Sequence, residues 1–327
     1  MNRRDLLILV STAIALPLAA RAQQKAMPVI GYLSQRSPTD SASIVAAFRL
    51  GLKEMGFVEG QNVAIESRFA EGQIDRLPTL AMDLVARAVD VFVATGGTGS
   101  VVKARPVVPH TIPIVFAMGG DPVKLGIVES LARPGDNITG VSFLLSDLPG
   151  KEVELLHELV PEAAAVGFLA NPSDPNYESD SKSAQAAANA LGHRLVVARA
   201  TSASEIAPAF ALFAEQKIAA LFVNADPFFT VKFPEILELA ARQALPTISS
   251  VEGFVADGGL ISYGTSIDDA NRLVGGYTGR VLKGEKPADL PVQQSTSFKL
   301  VVNLKTAKAL GLTIPPSVMV RADEVIE

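Results

Sequence analysis

The sequence predicts an α/β protein of two Rossmann-like lobes, each built on a parallel sheet, and three observations carry that reading. Short apolar runs alternate with segments of helical period, the pattern of parallel strands joined by crossover helices. The same order of elements returns about 130 residues later, so one lobe is written twice. Polar or glycine-bearing loops follow the strands in both halves, where sheets of this kind bind ligands.

Val29-Ile30-Gly31-Tyr32-Leu33 is the first buried strand. Ile44, Phe48, Leu52 and Met55 then fall three or four apart on one helix face, and Gly56 ends that helix. Val63 to Phe69 is a second strand, and Leu77, Leu80, Leu84 and Ala88 line a second helix. Val89 to Ala94 is a third strand, followed by Thr95-Gly96-Gly97-Thr98-Gly99-Ser100 and a short helix; Ile112 to Phe116 is a fourth. The second series opens with Ala165-Val166-Gly167-Phe168-Leu169, which repeats the glycine and the aromatic residue of the first strand. A helix around Ser183 to Leu191 and a strand from Leu195 to Ala198 follow. Ile206, Phe210 and Phe213 mark the next helix face, and Ala219 to Val223 the next strand. A helix from Phe233 to Ala244 leads to Leu245-Pro246-Thr247-Ile248-Ser249, the counterpart of Ile112-Pro113-Ile114.

The beginning of the chain sets the expected compartment. Asn2-Arg3-Arg4 is a short basic region, Leu6 to Ala20 an apolar run, and Ala20-Arg21-Ala22 a small-x-small cleavage pattern, together a signal peptide over residues 1–22. The apolar run is shorter than the roughly 20 residues a spanning helix needs. The arginine pair admits twin-arginine export, which Asp5 and Leu6 match only in part, so Sec and Tat both stay open. No cysteine exists to carry a lipid anchor or a disulfide, and the mature protein is expected free in the periplasm. Cleavage would remove Arg3, Arg4, Arg21 and Asp5 and move the formal charge from −5 to −7. An acidic chain without basic blocks argues against nucleic acid as a partner. An apolar content of 48% is ample for two cores.

The candidate binding residues sit just after strands. They are Ser34, Gln35, Thr95, Gly96, Gly97, Thr98, Gly120 and Asp121 in the first half, and Asn171, Asn224, Asp226, Phe228 and Tyr263 in the second. Thr95 to Ser100 puts glycines and unpaired amides at a helix N-terminus, which suits a carboxylate, although the same string also makes a tight strand-to-helix turn. It is not a P-loop, and Val102 stands where a dinucleotide fingerprint needs its last glycine. Asp121 and Asp226 each precede proline, so each could hold a ligand ammonium or cap the next helix. Phe228, Phe229, Tyr177 and Tyr263 could stack on an apolar ligand or fill a core. His110, His157 and His193 share no metal-ligand spacing and read as surface residues. With no cysteine and no Gly-x-Ser-x-Gly elbow, no nucleophile is visible; we expect no enzyme, no metal and no cofactor.

Several strings resemble the ABC transporter substrate-binding protein family that includes tryptophan-binding relatives. They are Gly120-Asp121-Pro122-Val123, Ser130-Leu131-Ala132-Arg133-Pro134-Gly135 with Asn137-Ile138-Thr139-Gly140-Val141, and Ala225-Asp226-Pro227-Phe228-Phe229. Gly258-Gly259-Leu260 with Ser262-Tyr263-Gly264, Leu282-Lys283-Gly284 and Pro287 to Pro291 follow, and Val302 to Leu312 is the longest match. The resemblance implies a type I periplasmic-binding fold with three hinge crossings, near Val141 to Leu144, Ile261 to Thr265 and Pro291 to Gln294. The expected first lobe is then 27–142 with 265–291, and the second 143–264 with 292–327. As partners it implies a small-molecule ligand, an amino acid or related carboxylate, and an ABC permease of the inner membrane; we expect a monomer. A module presenting the solute to a membrane receptor is the alternative. The chain departs from the family at Ser249-Ser250-Val251-Glu252, where an aromatic residue and often an arginine are usual.

Overall fold

The structure is a computed structural model and describes residues 27–143, 148–251, 253–295 and 298–327; the expected signal peptide, Leu144 and Glu252 lie outside them. The first series runs β1 (Val29–Ser34), α1 (Ala42–Glu54), β2 (Ala64–Phe69), α2 (Leu77–Ala86), β3 (Val91–Thr95), α3 (Thr98–Ala104), β4 (Ile114–Met118) and β5 (Ile138–Ser142). The second runs α4 (Leu148–Leu159), β6 (Ala165–Ala170), α5 (Tyr177–Ala190), β7 (Arg194–Arg199), α6 (Ala203–Glu215), β8 (Leu221–Val223) and α7 (Pro227–Thr230). It continues with α8 (Phe233–Arg242), β9 (Thr247–Ser249), α9 (Gly253–Ala256) and β10 (Ile261–Thr265). The tail adds α10 (Ile267–Leu282), β11 (Gln293–Gln294), β12 (Phe298–Asn303), α11 (Leu304–Ala309), α12 (Pro316–Met319) and β13 (Glu324–Ile326).

Two sheets result. The first has the order β11-β5-β4-β3-β1-β2, and the second β13-β12-β10-β9-β8-β6-β7. The internal repeat is visible in these orders: β5-β4-β3-β1-β2 of the first sheet corresponds strand for strand to β10-β9-β8-β6-β7 of the second. All pairs are parallel except β10 with β12. The glycines shared by β1 and β6 have one reason. A Cβ on Gly31 would meet Val89 at 3.1 Å, and one on Gly167 would meet Ile218 at 2.4 Å, where the crossover helix and its following turn press on the sheet.

Four strands begin two residues later than their apolar runs. Val89, Ile112, Ala219 and Leu245 lie in the turns ahead of β3, β4, β8 and β9; Val89 and Leu245 are buried there. Burial extends beyond the hydrogen-bonded ladder, so apolarity alone cannot mark a strand's first residue. The strand β11 is two glutamines and carries no apolar signal, and β13, with only Val325 and Ile326 after Glu324, is too short to show one.

The chain passes from the first sheet to the second between β5 and α4, returns between β10 and α10, and leaves again between β11 and β12. Gln293 and Gln294 pair with Val141 and Ser142, so the last passage lies beyond Ser295, downstream of the expected boundary at 291/292. Returning, α10 lies across α1 with almost no gap. A Cβ on Gly51 would stand 1.9 Å from the Arg272 carbonyl oxygen, and one on Gly275 would stand 2.1 Å from that of Phe48. Gly275→Ala is therefore expected to cost about 1–3 kcal/mol of unfolding free energy by overpacking. Its neighbour Gly276 faces open space, and Gly276→Ala should instead add up to about 1 kcal/mol through helix propensity. Denaturant unfolding of the two variants checks the pair.

Candidate functional site

The carboxyl ends of the parallel strands in both sheets meet across a cleft. From the first sheet, β1 delivers Ser34, Gln35 and Arg36. The Ser34 hydroxyl accepts from the Arg36 amide at 3.2 Å, turning the chain so that the guanidinium enters the cleft. Arg36 is buried, and its Nε–H meets no partner among the described residues. Burial lowers its pKa, while the charges of Asp40, Asp226 and Asp268 act the other way; a guanidinium so placed keeps its charge. From β3 come Thr95 and two glycines with φ of +77° and +150°, a conformation that side chains rarely adopt. They also leave room for neighbours: a Cβ on Gly97 would meet Pro227 at 2.7 Å and the Gln35 side-chain oxygen at 2.8 Å. Thr95 donates to the Asn271 side-chain oxygen at 2.7 Å, which fixes α10 to this wall.

Thr98 opens α3, and its hydroxyl joins three segments. It accepts from the Gly120 amide at 3.0 Å and from the Asn176 side-chain amide at 3.0 Å. Asn176 belongs to the second lobe, so this bond spans the cleft.

The second lobe answers with acid. Asp174 follows β6 and lines the cleft, where its carboxyl accepts from the Asn176 amide at 2.7 Å. Asp226 lies beside it, fully buried. Burial first, and then the neighbouring charge of Asp226, holds the Asp174 carboxyl well above the usual carboxylate range; burial also raises Asp226. The two are best described as sharing a proton that sits on Asp174. Asp226 is the better acceptor, because it receives the amides of Phe228 at 2.8 Å and Phe229 at 3.3 Å and the Asn171 side chain at 3.2 Å. Farther along the same wall stand Glu152 of α4 and Asp180 of α5, both buried.

Between the walls lies a narrow cavity, partly open to solvent. Thr95, Gly96, Gly97, Thr98 and Asn224 line it as the sequence suggested, and Phe143, Pro149, Val251 and Ile267 give it an apolar belt. Arg36 with the glycine loop forms a pole for an anion, and Asp174, Asp180 and Glu152 form an acidic face. A zwitterion fits such a division if its ammonium takes the place of the proton held at Asp174 while its anion lies beside Arg36.

The remaining expected residues are placed elsewhere. Ser34, Gln35 and Gly120 stand just behind the first wall and support it through the contacts given above. Asp226 caps α7 instead of facing the cleft, and Asn171 braces it. Asp121 likewise accepts from the Val123 and Lys124 amides and faces an outer groove. For Asp226 the capping role prevails, because proline at the first helical position leaves the next amides directed at the carboxylate, whereas Asp121 closes a turn and no helix follows it. Phe228 packs on Phe229 and against Gly72 at the cleft's edge. Tyr263 lies within β10, not after it, and stacks on Phe298 with ring centroids 5.8 Å apart. Tyr177 is buried and accepts from Arg199. His193 is buried rather than at the surface, hydrogen-bonded to His157 at 2.8 Å and to the Ala163 carbonyl.

Sequence reasoning missed Arg36, Glu152, Asn176, Asp180 and Asn271. Only Arg36 carried a usable signal, standing two residues beyond the first strand's end.

Two similar α/β lobes enclosing a polar cavity define a solute-binding protein. The chain matches the family of ABC transporter substrate binding proteins over residues 37–326 and belongs to it, as the resemblance implied. A tyrosine-binding protein of Clostridioides difficile is 28% identical over 265 residues, 81% of this chain and 75% of its own. An ABC domain from Streptococcus pneumonia solved with L-Trp is 30% identical, with a TM-score of 0.82 over 91% of this chain and 99% of the other. The ligand-free, open structure of a substrate-binding protein with adhesive properties from Clostridium difficile is 25% identical, with a TM-score of 0.65 over 91% and 99%. Family and relatives bind solutes, so this chain is a binding protein and not an enzyme.

Proposed function

We propose that this protein captures an amino acid or related small carboxylate between its two lobes and hands it to an ABC permease of the inner membrane. The observation that carries the reading is the polarity of the cleft, with Arg36 and the Gly96–Gly97 loop contributed by one lobe and Asp174 by the other. The carboxylate would meet the guanidinium and the loop amides, the ammonium would displace the proton that Asp174 shares with Asp226 and pair with the carboxylate so formed, and Phe143 and Ile267 would flank the rest. In this reading Asp174 takes the ammonium role first given to Asp226. Export to the periplasm rests on the leader-like N-terminus; no helix among the described residues is long and apolar enough to cross a membrane.

Closure about the three crossings is supported by two observations. The chain superposes better on the L-Trp complex than on the ligand-free, open relative, over the same share of its length. Thr98 and Asn176 already bond across the cleft. Thr98→Val is expected to weaken ligand affinity by about 1 kcal/mol, roughly fivefold, by removing that bond from the closed form.

Thermal shift tests the function itself. At a concentration one hundred times Kd, a ligand of the folded state adds about 2.7 kcal/mol, which should raise Tm by several degrees. A panel of L-amino acids and small monocarboxylates that leaves Tm unmoved at millimolar concentrations contradicts the proposal.

A further inference from the structure

Three loops of the first lobe meet the second lobe at bare glycine backbone. They follow β2, β3 and β4, so in the sheet order they span three strand spacings, about 14 Å. A Cβ on Gly72 would lie 3.2 Å from Phe228 Cα, and one on Gly97 would lie 2.7 Å from Pro227 Cγ. A Cβ on Gly120 would run into the Asn176 side-chain oxygen. Gly72 and Gly97 have positive φ, so their backbone asks for glycine before any neighbour is considered. Gly120 does not. Its missing side chain answers only to its surroundings, which besides Asn176 are the Leu125 and Thr98 side chains of its own lobe, at 2.8 Å and 3.1 Å from the Cβ position. Leu125 reaches this point with the far end of a side chain that can give way. Asn176 is held at both ends: its backbone amide donates to Asp174 at 2.7 Å, and its side-chain amide donates to the Thr98 hydroxyl at 3.0 Å.

We propose that Gly120 is the socket into which Asn176 seats as the lobes close, and that the fit of this pair sets how completely the cleft shuts. Gly120 is then a positioning residue. It stands behind the cavity wall and touches no ligand, yet it sets affinity for every ligand that the closed cleft holds. The reason is a population: apparent affinity falls in proportion to the fraction of molecules in the competent, closed arrangement. A methyl at position 120 would push the Asn176 side chain out and forfeit its bond to Thr98. That overpacking costs the closed form, while the open form, with Asn176 withdrawn, is spared. Asp174 ties the socket to the cavity, because the carboxyl that lines the cleft also accepts from the Asn176 amide. The inference goes beyond the proposed function and needs only that the lobes meet, not that the ligand is an amino acid.

The chain has no cysteine, so a disulfide placed across the cleft reports closure without background. The pair Gly72→Cys with Phe228→Cys suits this, since a Cβ on Gly72 would stand 3.7 Å from the Phe228 Cβ, within the span that a disulfide bridges. The rate at which it forms in ligand-free protein under mild oxidation follows the closed population. Adding Gly120→Ala is expected to slow that rate by about two- to tenfold, the smaller value applying where the protein is already mostly closed. Asn176→Gln leaves the first lobe untouched, overfills the socket from the other side, and should slow the rate likewise. In an Asn176→Ala background, itself slower through loss of the bond to Thr98, adding Gly120→Ala should leave the rate unchanged, because nothing then reaches the socket. Melting curves verify that each variant is folded; should Gly120→Ala not fold, Asn176→Gln alone decides. A Gly120→Ala effect of equal size in both backgrounds would confine Gly120 to its own lobe and overturn the inference. So would a rate that neither Gly120→Ala nor Asn176→Gln alters, or no crosslink in the parent pair. Any of these leaves the proposed function standing, whereas failure of every amino acid to bind overturns that function and leaves the inference intact.

Discussion

Arg36→Met should lower affinity for an amino-acid ligand by about 2–5 kcal/mol, roughly thirtyfold to several thousandfold, the largest single effect expected in this protein. The size follows from position. Arg36 is the one cation among the described residues lining the main cavity, it is buried, and its Nε–H has no protein partner there. A ligand carboxylate deprived of it would stay desolvated opposite an apolar chain. Methionine keeps much of the stem's volume, so packing between the lobes should survive. Arg36→Lys restores the charge without the planar fork and should fall between the two. Loss of the arginine also removes a positive charge that interacts favourably with Asp40, Asp226 and Asp268. Melting curves should accordingly show a modest destabilisation of Arg36→Met that Arg36→Lys does not share. Calorimetry with unchanged affinity in Arg36→Met would remove the guanidinium from the site.

Stability of the ligand-free protein should fall as pH rises from about 5 to 8. Asp174 and Glu152 both hold their protons more tightly folded than unfolded, Asp174 through burial and the charge of Asp226, and Glu152 through burial and Asp180. A raised carboxyl contributes stability that is fully present below its unfolded value, about 4, and is lost as pH climbs toward the folded one. Each such group can add up to about 1.4 kcal/mol per pH unit over that window. Opposite-signed groups, such as Asp121 beside Lys124 and Glu158 beside Arg321, are lowered in the fold and act only as pH falls through their folded values, below about 4. Asp174→Asn tests the assignment, since the amide donates permanently to Asp226 as the protonated acid would. Its Tm should match wild type near pH 4 and exceed it by several degrees at pH 8. A wild-type Tm that is flat across this range, or an equal effect of the substitution at both ends, would contradict it.

The fold was legible because its strands are buried on both faces. Runs such as Val29–Leu33 and Ala165–Leu169 had to be apolar throughout, and their common glycine made the repeat visible. Strand starts were not legible, because Val89 and Leu245 are buried by the turns that contain them. In the site, the glycine loop at Gly96 and Gly97 declared itself, for few other residues take its backbone conformation. The acidic face did not. Glu152 sits between Lys151 and Val153 on a helix whose charged neighbours suggest solvent, yet it is buried. Asp-Pro at Asp226 reads identically for a ligand contact and for a helix cap, and the choice depended on where Phe228 and Phe229 turned their amides. Ser250 and Val251 line the cavity, so the departure from the family read in the sequence falls on the wall of the candidate site.

The central claim is that the cleft between the lobes binds an amino acid through charges from both sides. Calorimetric titration of the mature protein with the twenty L-amino acids, repeated on Arg36→Met, tests it most directly. The account predicts one site per chain filled by at least one of them with micromolar or tighter affinity, and a loss of about thirtyfold or more in the variant. Absence of saturable binding across the whole set, or binding that the variant leaves intact, would contradict it.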